Sequence, residues 1–324
     1  MKGRMIVLDH LGGQEAAALL VDGRLDDLLI DDPVSPRPGA IFRAICDRPL
    51  KGQGGMMLRL PEGSAFLRQA KGLRPGQAML VQVTGVTEPG KAVPVTDRVL
   101  FKSRFAIVTP GAPGVNVSRQ IVEEDERDRL LEIAEGVFDS VHGLILRSAC
   151  EGADAAEIAE DIAEMLAMAE AVLGDAEGTE PEALTEGDGP HVLAWRDWIA
   201  DTVVTDAGGF EREGVLDQIA SLSSAEVPLG EGTMFVEPTR ALIAVDVNTG
   251  GDTSPAAALK ANLAACRALP RALRLRGLGG QITVDFAPMS KAHRKQVEQS
   301  LRGSFRNDPI ETSLVGWTPM GLFE

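Results

Sequence analysis

The run Ala241-Leu242-Ile243-Ala244-Val245-Asp246-Val247-Asn248 decides how the C-terminal part of this chain is read. It is apolar, β-branched and of strand length. A second run, Gln281-Ile282-Thr283-Val284-Asp285-Phe286, has the same character. Strand side chains alternate between faces, so Asp246 and Asn248 point the same way. Two strand-end carboxylates plus an amide form an all-oxygen set. That set suits a hard cation such as Mg²⁺, which takes one or two carboxylates and keeps waters for the phosphates of its substrate. A single aspartate at a strand end also serves as a turn former or helix cap. Clustering with Asn248 and with a basic helix tail sets this pair apart.

Between the two strands lies Thr253-Ser254-Pro255, followed by a helical pattern through Leu259, Leu263, Cys266, Leu269 and Leu273. Thr253 or Ser254 caps this helix and Pro255 suits its first turn. Pro270 is expected to kink or end it early. Arg271, Arg274 and Arg276 at its exit complement the helix dipole and are placed to hold a polyanion near the carboxylates. A strand–helix–strand unit with acids on both strands suits phosphodiester chemistry.

The segment from Arg240 to Thr249, then Asn262-Leu263, then Leu273 through Gly279-Gly280 to Phe286, resembles the catalytic core of the ribonuclease E/G family. Gly316-Trp317-Thr318-Pro319-Met320-Gly321-Leu322-Phe323-Glu324 resembles the segment that closes that family's nuclease subdomain. Upstream, Gly114-Val115-Asn116-Val117-Ser118-Arg119-Gln120-Ile121 resembles the start of its 5′-end sensor. Gly143-Leu144-Ile145-Leu146-Arg147-Ser148 resembles the phosphate pocket of that sensor, with Ser148 where the family usually has Thr.

The resemblance implies an α+β, multidomain fold. An OB-type β-barrel (36–105) is inserted in a trimmed RNase H-like subdomain (1–35 plus 190–227). A 5′-sensor region (106–173), an acidic linker (174–189) and a C-terminal α/β nuclease subdomain (228–324) follow. It also implies a metal-dependent endoribonuclease that cuts single-stranded RNA to 5′-phosphate and 3′-hydroxyl ends, in RNA processing or decay. Asp246, Asn248 and Asp285 are then catalytic, with Asp246 and Asp285 holding Mg²⁺, or Mn²⁺ in its place. Phe66, Lys91 and Lys102 contact RNA, and Arg147 with Ser148 binds a 5′-phosphate. A second stacking aromatic of the family is replaced near Met57. The family's Cys-Pro-x-Cys zinc motif is absent, so no zinc and no zinc-linked tetramer are expected, but a monomer or a dimer.

The residues themselves support this organisation. Residues 36–105 are dense in Gly and Pro with short alternating runs, such as Ala40–Ile45, Met56–Leu60 and Ala78–Val83, as in a small barrel. Such a barrel grips single strands through aromatic stacking and cations. The N-terminal run Met1–His10 is too short in its apolar part for a secretory signal and reads as a first strand. Helices are predicted over 122–137, 155–173, 191–205 and 210–223, with Trp195 and Trp198 in the core. In helix 155–173, Ile158, Ile162, Met165, Leu166, Ala169 and Leu173 form the apolar face. Glu157, Glu160, Asp161, Glu164 and Glu170 form a solvated one. Residues 174–190 read as flexible.

The chain has 324 residues, room for two or more compact units, and is 44% hydrophobic. No apolar run approaches the ~18 residues needed to span a bilayer, so no membrane partner is expected. The three cysteines, Cys46, Cys150 and Cys266, show no metal or redox spacing. They read as reduced thiols of a cytoplasmic protein. Net charge is −16, which argues against a nucleic-acid partner until its distribution is considered. Residues 151–200 hold 14 acids and one base, while 51–100 hold 7 bases and 3 acids. Residues 251–324 hold 10 bases and 6 acids. The acidity is concentrated in the middle, and both regions expected to face RNA are mildly basic. Two rival readings are a non-catalytic RNA-binding relative and a protein-interaction module acting through helix 155–173.

Overall fold

The computed structural model describes residues 3–50, 54–86, 90–306 and 308–324. Met1 and Lys2, where the N-terminal strand reading began, lie outside them. In chain order the strands β1 (Arg4–Leu11), β2 (Gln14–Val21) and β3 (Arg24–Ile30) come first. Next come β4 (Ile41–Leu50), β5 (Gly55–Arg59), β6 (Ser64–Leu67), β7 (Ala78–Val83) and β8 (Val93–Thr96). β9 (Phe101–Lys102), β10 (Ala106–Thr109), β11 (Gly114–Val117), α1 (Glu124–Val137), β12 (Gly143–Leu146) and α2 (Ala155–Gly174) follow. Then come β13 (Glu182–Thr185), α3 (Pro190–Asp197), β14 (Thr202–Val204), α4 (Gly209–Arg212) and α5 (Val215–Ser221). The chain finishes with β15 (Glu226–Pro228), β16 (Thr233–Pro238), β17 (Ile243–Asn248), α6 (Pro255–Leu275), β18 (Ile282–Asp285) and α7 (Lys291–Arg306). No helix among the described residues is long and apolar enough to cross a membrane.

Two compact units result. One comprises Met1–Asp9, Ala18–Leu28 and Asp201–Glu324; the other comprises His10–Ala17 and Leu29–Ala200.

The second unit contains a closed barrel in the order β4-β5-β6-β8-β7, with β7 returning to β4. β4 makes closure possible because it is long and irregular. Its first half, Ile41–Ile45, pairs with β7, and Ile45–Leu50 pairs with β5, with a register shift between Cys46 and Arg48. Such a shift bends a strand. Alternate residues, among them Leu58, Ala65, Leu67, Val81 and Val83, fill the interior. The mixed α+β fold with this five-stranded barrel fits the OB type.

A second sheet, β11-β12-β10-β9, shares a core with α1 and α2. α2 is capped by Asp154, whose carboxylate accepts from the Ala156 and Glu157 amides at 2.8 and 3.3 Å. It buries Ile158, Ile162, Ala169 and Val172, so Val172 takes the place expected for the half-buried Leu173. Asp161 departs from the expected solvated face. Its Oδ2 accepts from the Phe105 amide at 3.0 Å and from the Ser103 hydroxyl, and so ties α2 to the start of β10.

Residues 174–189, expected as a flexible linker, are ordered against the barrel. β13 pairs antiparallel with β4, Glu182 opposite Arg43. The Arg43 guanidinium donates to the carbonyls of Asp175, Glu177 and Glu180 and pairs with Glu182. One sequence-distant arginine thus organises a stretch whose composition alone reads as disordered. Trp195 and Trp198 are likewise outside the core. Trp195 is 51% exposed, with the Arg104 guanidinium 4.1 Å above its ring, and Trp198 is half-buried.

The sheet β14-β1-β2-β3, in which β14 runs parallel to β1, has most of its residues in the first unit. The helix expected over 191–205 therefore stops at Asp197, and the β-branched Thr202-Val203-Val204 becomes a strand. The helix expected over 210–223 is broken into α4 and α5 by Gly214, whose φ of 68° lies in the left-handed region.

The other sheet of this unit has the order β15-β16-β17-β18, with β17 antiparallel to β16 and parallel to β18. α6 makes the crossover between the two parallel strands and packs on β16 and β17. The Ser254 hydroxyl caps it, accepting from the Ala257 amide at 3.2 Å. α6 does not end at Pro270. It continues to Leu275, because Leu269, Ala272 and Leu273 are buried on both sides of the proline and this packing outweighs one lost backbone bond.

Candidate active site

Alternation along β17 sorts its side chains. Ile243, Val245 and Val247 are buried against α6, whereas Asp246 and Asn248 are exposed on the opposite face. β18 repeats the pattern, with Val284 buried and Asp285 exposed. The parallel register places Asp246 directly beside Asp285, on strands about 4.8 Å apart. The Asn248 amide donates to Asp246 Oδ2 at 2.6 Å. The set expected from the two strand patterns is thus assembled by the parallel register. Two carboxylates and an amide in this arrangement fit a hard divalent cation that completes its shell with water and phosphate oxygens. Phe235 on β16, which the sequence reading did not single out, is Asp246's other register neighbour and is half-buried.

The end of β18 is fixed from behind by Asn262, the fully buried polar residue of α6. Its amide donates to the Ala287 carbonyl at 2.9 Å and accepts from the Ala287 amide at 3.0 Å. Both backbone groups two residues beyond Asp285 are thereby satisfied. The sequence pattern alone gives Asn262 no role. The signal was there: a polar residue on the buried face formed by Ala258, Ala261, Ala265 and Leu269.

The arginines at the α6 exit do not form a polyanion site. Arg271 donates to the Leu25 carbonyl at 2.7 Å, and Arg276 to the Ser224 carbonyl at 3.0 Å. Arg274 donates to the Asp26 carbonyl at 2.7 Å and pairs with Asp27 and Asp308. All three are used to join α6 to other parts of its own unit. Burial pushes the Asp27 carboxyl up, with Arg274 opposing the shift.

A model of the ribonuclease E/G family matches residues 101–207 and 199–324. The chain belongs to the ribonuclease E/G family. It is similar to Ribonuclease G of Escherichia coli K12, 29% identical over 296 residues, covering 78% of this chain and 60% of that protein. It is also similar to Ribonuclease E of Nostoc sp., 29% identical over 311 residues, covering 82% of this chain and 45% of that protein. Ribonuclease G of Haemophilus influenzae is 29% identical over 292 residues, covering 78% and 59%. The chain thus spans about 60% of the length of the Ribonuclease G relatives it matches.

The remaining residues drawn from the ribonuclease E/G resemblance lie in the other unit. Phe66 sits on β6 between the buried Ala65 and Leu67, so its ring points out of the barrel. It lies against Gly55, where a Cβ would come within 2.4 Å of the ring. Met57 is its cross-strand partner. Lys91 is exposed in the turn before β8. Lys102 is exposed on β9, in the second sheet and not in the barrel.

Arg147 follows β12, and Ser148 beside it opens a short 3₁₀ turn, Ser148–Cys150. The Arg147 guanidinium is already engaged. It pairs with Asp197 at 2.6 Å and donates to the carbonyls of Ser103 and Arg196. Burial pushes the Asp197 carboxyl up, but Arg196 and Arg147 outweigh this and hold it below the usual range. Asp197 had no place in the sequence reading, since nothing local links it to a residue 50 positions away.

Proposed function

We propose that this chain is a metal-dependent endoribonuclease acting on single-stranded RNA in RNA processing or decay. The observation that carries the reading is the in-register pair Asp246 and Asp285, with Asn248 bonded to Asp246, on the uncovered face of the nuclease sheet. Membership of the ribonuclease E/G family supports it. Asp246 and Asp285 would hold Mg²⁺ or Mn²⁺. When bound, such an ion lowers the pKa of a water and neutralises charge on the scissile phosphate. Asn248 fixes the orientation of the Asp246 carboxylate through its 2.6 Å bond. Asn262 holds the backbone beyond Asp285 and so keeps that strand end in place. Hydrolysis at such a site leaves a 5′-phosphate and a 3′-hydroxyl.

The outward ring of Phe66, with Lys91 and Lys102, supplies a stacking surface and cations for an unpaired strand. The sheet β14-β1-β2-β3 is the part of the chain that corresponds to a trimmed RNase H-like subdomain. For Arg147 and Ser148, binding a 5′-phosphate requires the phosphate to take the place of Asp197 in the guanidinium fork.

Cleavage of a fluorescent single-stranded RNA, with and without Mg²⁺, tests the proposal. Wild type is expected to cut only with the metal, and Asp246→Asn is expected not to cut. Metal-independent cutting, or an active Asp246→Asn protein, would falsify the assignment.

A further inference from the structure

α7 is a basic helix in an acidic protein. Between Lys291 and Arg306 it carries five Lys or Arg and one acid, in a chain of net charge −16. Its cations are not scattered. At 100° per residue, Lys291, Lys295, Arg302 and Arg306 fall within an arc of about 60°. All four are exposed, and the arc lies away from the buried Val297 and Leu301, about 130° from their mean direction. Within each close pair the four-residue spacing corresponds to about 6 Å of helix, and the whole row to about 22 Å. Arg302 shares its charge with Glu298 at 2.8 Å. Lys291, Lys295 and Arg306 have no carboxylate partner among the described residues.

At the N-terminal end the charge runs against helix stability, whereas Arg306 in the last turn complements the dipole. Helix N-termini favour acids, as in α1, whose first turn holds Glu124, Asp125 and Glu126. The first turn of α7 has no acid and starts with Lys291. α7 packs with α6 on the face of the sheet opposite the carboxylates, so it is its N-terminal end that the chain ties to Asp285. α7 begins six residues after Asp285, a span of at most about 20 Å. The Arg294 guanidinium lies 4.7 Å over the Trp317 ring, and Trp317 packs on Phe286, the residue next to Asp285. The cationic row is therefore anchored at one end to the strand that carries the candidate site.

We propose that Lys291, Lys295, Arg302 and Arg306 form a phosphate track that holds the single-stranded RNA leading to or from Asp246 and Asp285. The proposal rests on the nuclease reading of that site. A row of cations at helical spacing matches the repeating charge of one extended strand, and it needs no base contacts. Binding along it is sequence-independent and salt-dependent.

The test is binding of an oligouridylate of about 20 nucleotides, fluorescein-labelled, followed by anisotropy in EDTA from low to moderate salt. Each phosphate contact to a single strand contributes about −0.7 to the slope of log K against log salt. The protein with Lys291→Ala, Lys295→Ala, Arg302→Ala and Arg306→Ala together is expected to lose about 3 from that slope. Its affinity near 0.1 M salt should fall at least tenfold, with a circular-dichroism melt no lower than that of wild type. A charge-conserving protein (Lys291→Arg, Lys295→Arg, Arg302→Lys, Arg306→Lys) should keep the wild-type slope. An unaltered slope in the alanine protein overturns the track, as does a wild type that binds no RNA. Wild type that binds polyglutamate through these cations, while its RNA affinity ignores them, overturns it in favour of an acidic protein partner. Failure of the nuclease reading looks different: wild-type binding and slope remain as expected, but no cleavage follows when Mg²⁺ is supplied.

Discussion

Asp246 with Asp285, and Arg147 with Ser148, both match the pattern of the ribonuclease E/G family, and the structure treats them in opposite ways. Asp246 and Asp285 lie on an open sheet face, with the Asn248 amide bonded to one of them. Arg147 is closed in by Asp197 and two carbonyls. The carboxylates keep unused ligand capacity, as chemistry requires. The arginine spends three of its five N–H donors on architecture, so a ligand there has to compete with the protein itself. A matching motif indicates which residue is present, and the hydrogen-bond inventory indicates whether that residue is available.

The largest effect is expected at the open pair. Asp246→Asn or Asp285→Asn should lower cleavage by about a thousandfold, since a lost metal ligand removes several kcal/mol of transition-state stabilisation and 1.36 kcal/mol is tenfold. Stability should move by no more than about 0.5 kcal/mol, because both side chains are exposed. Rate assays and thermal melts on the same samples check this. Equal losses of activity and stability would show that the pair is structural.

Next is Asn262→Ala. It leaves the Ala287 amide and carbonyl unpaired in the core, at about 1–3 kcal/mol for each buried group. Urea denaturation should show a loss of about 2–4 kcal/mol. A loss under 1 kcal/mol would mean that the end of β18 is held by other contacts.

The closed site is probed by opening it. Asp197→Asn removes the carboxylate from the Arg147 fork. If Arg147 and Ser148 hold a 5′-phosphate, this protein should favour 5′-monophosphate over 5′-hydroxyl RNA about tenfold or more beyond wild type, from a charge-assisted bond worth about 1.5–3 kcal/mol. An unchanged ratio would leave Arg147 as an architectural residue. Arg147→Ala should cost about 1 kcal/mol at pH 7, a modest figure because Asp197 is 39% exposed. The native carboxyl of Asp197 is held low, so this stabilisation is present above the ordinary carboxylate pKa. It is lost as pH falls through the native value. The difference between wild type and Arg147→Ala should therefore shrink in acid.

The smallest effect concerns the thiols. Cys150 and Cys266 are buried, and desolvation pushes them up to about 11 and about 12. Neither should react with iodoacetamide at pH 8 until the protein unfolds. Rapid labelling of Cys266 in the native state would indicate that the packing behind the Asp246–Asp285 sheet opens locally.

Local pattern carried the sequence reading wherever a short stretch sets its own structure. Alternation placed Asp246 and Asn248 on one face, and Ser254-Pro255 marked the start of α6. Density of short runs indicated the barrel. These are properties of neighbouring residues, and a sequence displays them directly. Charge pairing is different. Arg43 with residues 175–182, Arg147 with Asp197 and Arg274 with Asp26, Asp27 and Asp308 join positions up to about 250 apart. The acidic stretch 174–189 looked unstructured, and the α6 arginines looked free, because their partners are far away in the chain. An ion pair or a carbonyl contact depends on distance in space, which only the folded chain sets. The sequence by itself determined which groups have the chemistry; the tertiary structure decided which of them are open to a substrate.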